Sequence, residues 1–227
     1  MDTIQRITVS SSEDKNIVSF PNISKRIFDI TFAILLIILL SPLLLLIGFI
    51  IFWETGSNPL YIQLRGMTLE GHEFKIFKFK TLKNLNQREN TSSQIFIKEN
   101  LSKLVTRSGY FLRKTGLDEL PQIINILFGE MSFIGPRPLA HNDLLIMKNT
   151  EPVLYSRRRI ILSKPGISGY WQIYGNRYNG VNNLVELEEY YETNKSMQFD
   201  IFLIFMTIPI VLFAKHTDAI IGRNNKS

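Results

Sequence analysis

From Ile30 to Phe52 the chain carries no charged side chain and is dominated by Ile, Leu and Phe, a run of the length that crosses a bilayer core as a helix. The polar stretch Met1 to Asn22 precedes it, and no small-residue cleavage pattern follows before Trp53 and Glu54. It therefore reads as a retained anchor and not as a cleaved signal. Two features argue against a straight crossing. Pro42 has no N–H for the carbonyl one turn earlier, and Ser41 before it is biased away from helical backbone, which predicts a break or kink at Ser41-Pro42. Basic residues also flank both ends, Lys25 and Arg26 before and Arg65, Lys75, Lys78, Lys80 and Lys83 after. They favour the cytoplasmic side, so a single pass would strand one group on the wrong face. A hairpin entering and leaving by one face satisfies both; a single pass with a tolerated proline kink is the other arrangement.

Downstream, Tyr61 to Leu64 and Phe74 to Lys80 alternate apolar with polar and are joined by Glu70-Gly71-His72, a hairpin pattern whose second strand carries a row of lysines. That row alone would suit a solvated edge strand. Asn84 to Asn100 reads as a loop or short helix. Leu117, Leu120, Ile124 and Leu127 fall at helical spacing and predict a helix from about Asp118 to Phe128, closed by Gly129, with Pro121 near its start and Asp118 at a cap position. Leu184 to Asn194 is acidic and helical in pattern. Ile201 to Ala214 is apolar, too short to span comfortably and interrupted by Pro209, so it predicts an interfacial or packed helix.

Composition narrows the picture further. At 227 residues and 45% hydrophobic content the chain can bury one core besides its anchor. There is no cysteine, and the three histidines His72, His141 and His216 lack metal-ligand spacing, so neither disulfides nor a zinc site is expected. A formal charge of +6 suits an anionic partner. With an apolar anchor in the same chain, lipid headgroups or a phosphorylated small molecule fit that charge better than nucleic acid, for which no recognition motif appears.

The densest chemistry lies in Arg113-Lys114-Thr115-Gly116-Leu117-Asp118-Glu119-Leu120-Pro121-Gln122 and, after a short gap, Gly135-Pro136-Arg137-Pro138. Adjacent carboxylates between arginines are what phosphoryl chemistry needs: one attacks phosphorus while its neighbour holds a divalent cation. Arginine offers a planar fork to phosphate oxygens, and Pro136 and Pro138 would stiffen the loop presenting Arg137. Each residue also has an ordinary use: Asp118 and Glu119 as helix-start residues, Arg137 as a loop tie.

Six motifs occur in order: Lys25-Arg26-Ile27-Phe28-Asp29, Ser41-Pro42, Lys78-Phe79-Lys80-Thr81, Leu117 to Gln122, Gly135 to Pro138, and Pro165-Gly166-Ile167-Ser168-Gly169 with Trp171-Gln172. Together they resemble the bacterial sugar transferases called monotopic phosphoglycosyl transferases, over roughly Lys25 to Ala214. The resemblance implies transfer of a sugar-1-phosphate from a UDP-sugar to polyprenyl (undecaprenyl) phosphate with release of UMP, at the cytoplasmic face of the bacterial inner membrane, as the first membrane step of exopolysaccharide, capsule or O-antigen synthesis. It implies Asp118 as nucleophile, Glu119 as catalytic Mg²⁺ ligand, Arg137 holding donor phosphate or nucleotide, Lys78 and Arg113 lining the site, and Ser41-Pro42 breaking a re-entrant helix.

Lys80, Glu130, Asn176-Arg177 and Glu188 depart from the family's usual residues, so no sugar-specific role is carried over. The expected architecture is predominantly helical α+β: a tail (1–24), a re-entrant helix (25–54), a cytoplasmic catalytic domain with a small hairpin and interfacial helices (55–215) and a second tail (216–227). A non-enzymatic membrane adaptor binding anionic lipid or a polysaccharide-assembly partner is the competing class, motivated by charge and anchor alone.

Overall fold

The computed structural model describes residues 23–66, 73–83, 104–176 and 179–213; the expectations for both tails, for the hairpin turn at Glu70 to His72, for Asn84 to Asn100 and for Arg177 lie outside them. Helix α1 (Ile23–Thr55) is one uninterrupted helix of 33 residues with Pro42 inside it. Of the break or kink expected at Ser41-Pro42, a break in the helical backbone is absent, and the reason is local. Pro42 cannot donate to the Ile38 carbonyl, but the Ser41 hydroxyl donates to that carbonyl at 2.9 Å, so the ladder loses a backbone bond without leaving the acceptor empty.

Both ends of α1 are fastened to the rest of the fold. Lys25 donates to the Ile134 carbonyl and pairs with Asp200, while Arg26 donates to the Ile126 and Leu127 carbonyls at 2.6 and 3.0 Å. At the other end, the Glu54 carboxylate accepts from the Arg107 and Ser108 backbone N–H groups, filling the N-terminus of α2 (Arg107–Thr115). Between these ties Ala33 enters the main core, with Ile76, Ile126 and Phe133, and Ile47 and Ile51 enter another with Phe79 and Leu112. Ile38, Leu39, Leu45, Phe49 and Trp53 stay exposed, an apolar surface that a purely aqueous protein would bury. By length and composition α1 is apolar enough to cross a membrane.

Strands β1 (Leu60–Gly66) and β2 (Glu73–Phe79) pair antiparallel with Tyr61 opposite Lys78, and β4 (Leu139–Ala140) lies on the other side of β1. The hairpin expectation holds for its strands, but the lysine row does not. Lys75 is exposed, whereas Lys78 shares the alternate face with buried Phe74 and Ile76 and turns inward. Beneath this strand the predicted helix is present in two parts, a 3₁₀ helix (Leu117–Gln122) and α3 (Ile123–Phe128), which closes at Gly129 with φ 85°. Pro121, inside the first part, has no N–H for the Leu117 carbonyl, which favours the tighter winding. Asp118 therefore stands in the first turn and does not cap the helix; Gly116, at φ 76°, occupies the cap. Asn125 stitches α3 to β2, donating to the Lys75 carbonyl and accepting from Phe77 N–H.

The remaining chain wraps this unit. β3 (Ser132–Ile134) and β5 (Gly166–Ser168) form a parallel pair. Helices α4 (His141–Thr150), α5 (Pro152–Arg159), α6 (Tyr170–Tyr174) and α7 (Gly180–Asn194) enclose a further core of Leu139, Met147, Trp171, Leu184 and Val185. Helix α8 (Met197–Leu212) starts at a Ser196 cap, buries Leu203, runs through Pro209 and leaves Phe202, Phe205 and Ile208 exposed. The class is as expected, mostly helical with two small sheets.

Candidate active site

The 3₁₀ helix sets Asp118 and Glu119 beneath the inward face of β2. Glu119 is buried and accepts from Lys78 Nζ at 2.5 Å. Asp118 is half-buried beside them; loss of water pushes its carboxyl up to about 6, Lys78 and Arg113 pull it down, and the Glu119 charge pushes it further up. Burial acts on Lys78 in the opposite sense, lowering its pKa against the pull of Glu119. The two carboxylates are therefore unequal: one is locked in an ion pair and the other sits nearer solvent with a tunable proton.

Arg137 comes from the loop between β3 and β4, whose shape is fixed by close backbone approach. Gly135 N–H donates to the Ser168 carbonyl at 3.0 Å and Gly166 N–H to the Pro136 carbonyl at 2.9 Å. A Cβ on Gly135 would run into the Lys164 carbonyl, so glycine is required there for packing. Arg137 lies with its guanidinium over the Trp171 ring, 5.5 Å from the centroid. Burial lowers its pKa while Glu119 and Asp143 pull it back up. On the far flank Arg65 of β1 donates to the Pro138 carbonyl at 3.2 Å and to Gln63 at 2.8 Å. Arg65 is buried, its Nε has no partner, and loss of water brings its pKa down to about 10.

One pocket is lined by Arg65, Lys78, Glu119, Gln122, Arg137 and Gln172, with Pro138 at its wall. The fold thus gathers Lys78, Glu119, Arg137 and Pro138 directly. Asp118 and Arg113 adjoin them closely enough to couple electrostatically, and Pro136 supports the loop from behind. Ser41 and Pro42 belong to the membrane helix and take no part. Arg65, Gln122 and Gln172 were not singled out by sequence. Arg65 had a weak signal, the polar face Gln63 and Arg65 on a strand; the other two lay inside motifs quoted only as landmarks.

Among the described residues no cluster of three or more His, Cys, Asp or Glu side chains is placed to hold a metal. The Asp118-Glu119 pair offers oxygen donors alone, which fits Mg²⁺, an ion that takes one or two carboxylates and completes its shell with water and substrate phosphate. Beside the charged pocket runs an apolar cleft of about 360 Å³ between α1, the 3₁₀ helix and α8, lined by Phe32, Leu36, Leu120 and Ile204 and reaching Glu119 and Gln172. The two spaces share Glu119, Ile167 and Gln172 in their walls, so the charged residues lie directly beside an apolar cleft.

Carboxylates set among buried cations, beside a helix long and apolar enough to cross a membrane, form a site suited to an anionic ligand. More specifically, the chain belongs to the bacterial sugar transferase family, whose profile matches residues 20–214. It is 37% identical over 207 residues to the exopolysaccharide production protein ExoY of Sinorhizobium fredii, covering 85% of this chain and 87% of that protein. It is 35% identical to the UDP-glucose:undecaprenyl-phosphate glucose-1-phosphate transferase of Escherichia coli, and 31% identical to the undecaprenyl-phosphate galactose phosphotransferase of Salmonella typhimurium. Those matches cover 81% and 83% of this chain but only 39% and 40% of the longer relatives.

Proposed function

We propose that this protein transfers a sugar-1-phosphate from a UDP-sugar to undecaprenyl phosphate at the cytoplasmic face of the inner membrane, as an early step of surface glycan synthesis. The observation that carries this reading is the Lys78-Glu119 ion pair and Arg137 lining one charged pocket, with Asp118 electrostatically coupled to the pair, beside an apolar cleft that shares Glu119. An acceptor with a phosphate head and an isoprenoid tail has the same two-part character. The relatives' names supply the substrates.

In the proposed sequence an Asp118 oxygen attacks the β-phosphorus of the donor, and the bond from that phosphorus to the oxygen bridging the two phosphates breaks. UMP leaves and a phosphosugar–aspartate ester remains. A phosphate oxygen of undecaprenyl phosphate then attacks the same phosphorus, the ester bond breaks, and Asp118 is regenerated as a carboxylate while the lipid diphosphosugar forms. The acceptor is already anionic, so this half needs positioning and charge screening more than a strong base. Glu119 would hold Mg²⁺, which would supply charge neutralisation at the diphosphate. Arg137, Arg113 and Lys78 hold phosphate oxygens, and ionised Asp118 is the form that attacks. A non-enzymatic adaptor gives this pocket no use.

The same reading takes α1 as re-entrant. Lys25 and Arg26 at one end of α1 and Glu54 at the other are all hydrogen-bonded to the same catalytic domain, which supports a kink near Ser41-Pro42 that keeps both ends on one face. The test is UMP release from a panel of UDP-sugars with Mg²⁺ and undecaprenyl phosphate. The wild-type protein is expected to turn over at least one donor and Asp118→Asn none; UMP release that survives the substitution would remove Asp118 from the chemistry.

A further inference from the structure

We propose that Arg158 and Glu188 are positioning residues for Arg137, their buried ion pair gripping its main chain so that the guanidinium points into the charged pocket. Arg158 (α5) and Glu188 (α7) are each 2% exposed. Arg158 Nε donates to Glu188 Oε2 at 2.7 Å and Nη2 to Oε1 at 3.2 Å. The same two side chains also hold Arg137 from both sides: its backbone N–H donates to Glu188 Oε1 at 2.7 Å, and its carbonyl accepts from Arg158 Nη2 at 2.5 Å.

Fold stability is a weak reason for such a pair. Two charges taken out of water lose most of what their attraction returns, and an apolar pair of similar volume commonly holds a fold as well or better. Arg158 Nη1 is moreover buried without a partner, a further cost. The neighbouring pair Arg157 and Glu189 makes the contrast: it joins the same two helices near the surface by hydrogen bonds between its own two side chains. What an apolar replacement of Arg158 and Glu188 could not reproduce is a donor and an acceptor aimed at one peptide residue. With Trp171 under the guanidinium, Arg137 is held at its backbone and at its tip.

The geometric claim stands on these contacts; its catalytic consequence rests on the proposed role of Arg137. Trp171 gives a readout independent of turnover. The chain has two tryptophans, so Trp53→Phe leaves Trp171 as the only one. In that background, Arg158→Met with Glu188→Met is expected to shift Trp171 emission to the value given by Arg137→Ala, and Arg137→Ala added on top should shift it no further. The melting temperature of the double variant should stay within a few degrees of the parent while UMP release falls at least tenfold, mainly through kcat and the donor KM and not through the acceptor KM. Glu188→Gln keeps an oxygen for the Arg137 N–H and should fall between the two. Unchanged emission and unchanged turnover in the apolar pair would overturn the proposal. Should that pair fail to fold, wild-type emission and turnover in both Arg158→Lys and Glu188→Gln would overturn it equally. If the wild-type protein releases no UMP, the functional reading fails, and the emission series still decides the clamp.

Discussion

Lys78 Nζ stands 2.5 Å from Glu119 Oε1, joining the edge strand of the hairpin to the carboxylate pair. Both side chains are largely out of water, so neither partner can be removed without stranding the other. Lys78→Met and Glu119→Gln are each expected to lower kcat/KM for the donor by about 10²–10³-fold. The double variant should lose much less than the product of the two, because the residues act together. A steady-state double-mutant cycle checks this; multiplicative losses would separate their roles.

The pH dependence follows from Asp118. Its carboxyl titrates at about 6, raised chiefly by loss of water, and the attacking form is the carboxylate. In the free enzyme kcat/KM should therefore level off above that value and drop about tenfold per unit below it. For stability the sign runs the other way: a raised acid pKa means the fold prefers the protonated form, so the cost of the Asp118 charge appears as pH rises from the ordinary carboxylate range through about 6. Asp118→Asn should accordingly melt higher than wild type at pH 7.5, with the difference fading towards pH 4. Melting curves at the two pH values settle the direction.

Chelation is the next expectation. Stripping divalent cations should stop UMP release, and Mg²⁺ should restore it, because the two adjacent carboxylates need a counter-charge when they meet a diphosphate. Turnover undiminished in excess chelator would remove the cation from the scheme.

Gly135→Ala tests the loop. A methyl there meets the Lys164 carbonyl, so the loop must move, and a displacement of about 1 Å at Arg137 is expected to cost about 10²-fold in turnover. Circular dichroism should still show the helical content of the parent.

Membrane topology is open to labelling because the chain has no cysteine of its own. Cysteines introduced at Ser24 and Asn58 should react with an impermeant reagent from the same side of the membrane. Reaction from opposite sides would mean that α1 crosses.

Much of this molecule was readable from pattern alone. The apolar helix, the two hairpin strands and the turn of helix ending at Gly129 follow from periodicity and from glycine at positive φ. The carboxylate pair and Arg137 followed from ordered motifs. Orientation and partnership were not readable. Strand parity put Lys78 on the face of Phe74 and Ile76, yet the surrounding lysines suggested a solvated row; only packing against the 3₁₀ helix turns it inward. The role of Glu188 depends on Arg158 reaching it across two helices, a contact that residue spacing cannot reveal. At Pro42 the Ser41 hydroxyl occupies the Ile38 carbonyl that proline leaves without a backbone donor, a partnership that spacing does not reveal.

The Glu54 carboxylate, seated on the N-terminus of α2, has a mechanical meaning. It makes the end of the membrane segment the beginning of the lever that leads through α2 and Gly116 to Asp118, while Lys25 and Arg26 fasten the other end to the strand and helix behind the pocket. A displacement of α1 is thus borne at both ends by the frame that holds Asp118 and Glu119, so the apolar helix and the carboxylate pair form one mechanical unit.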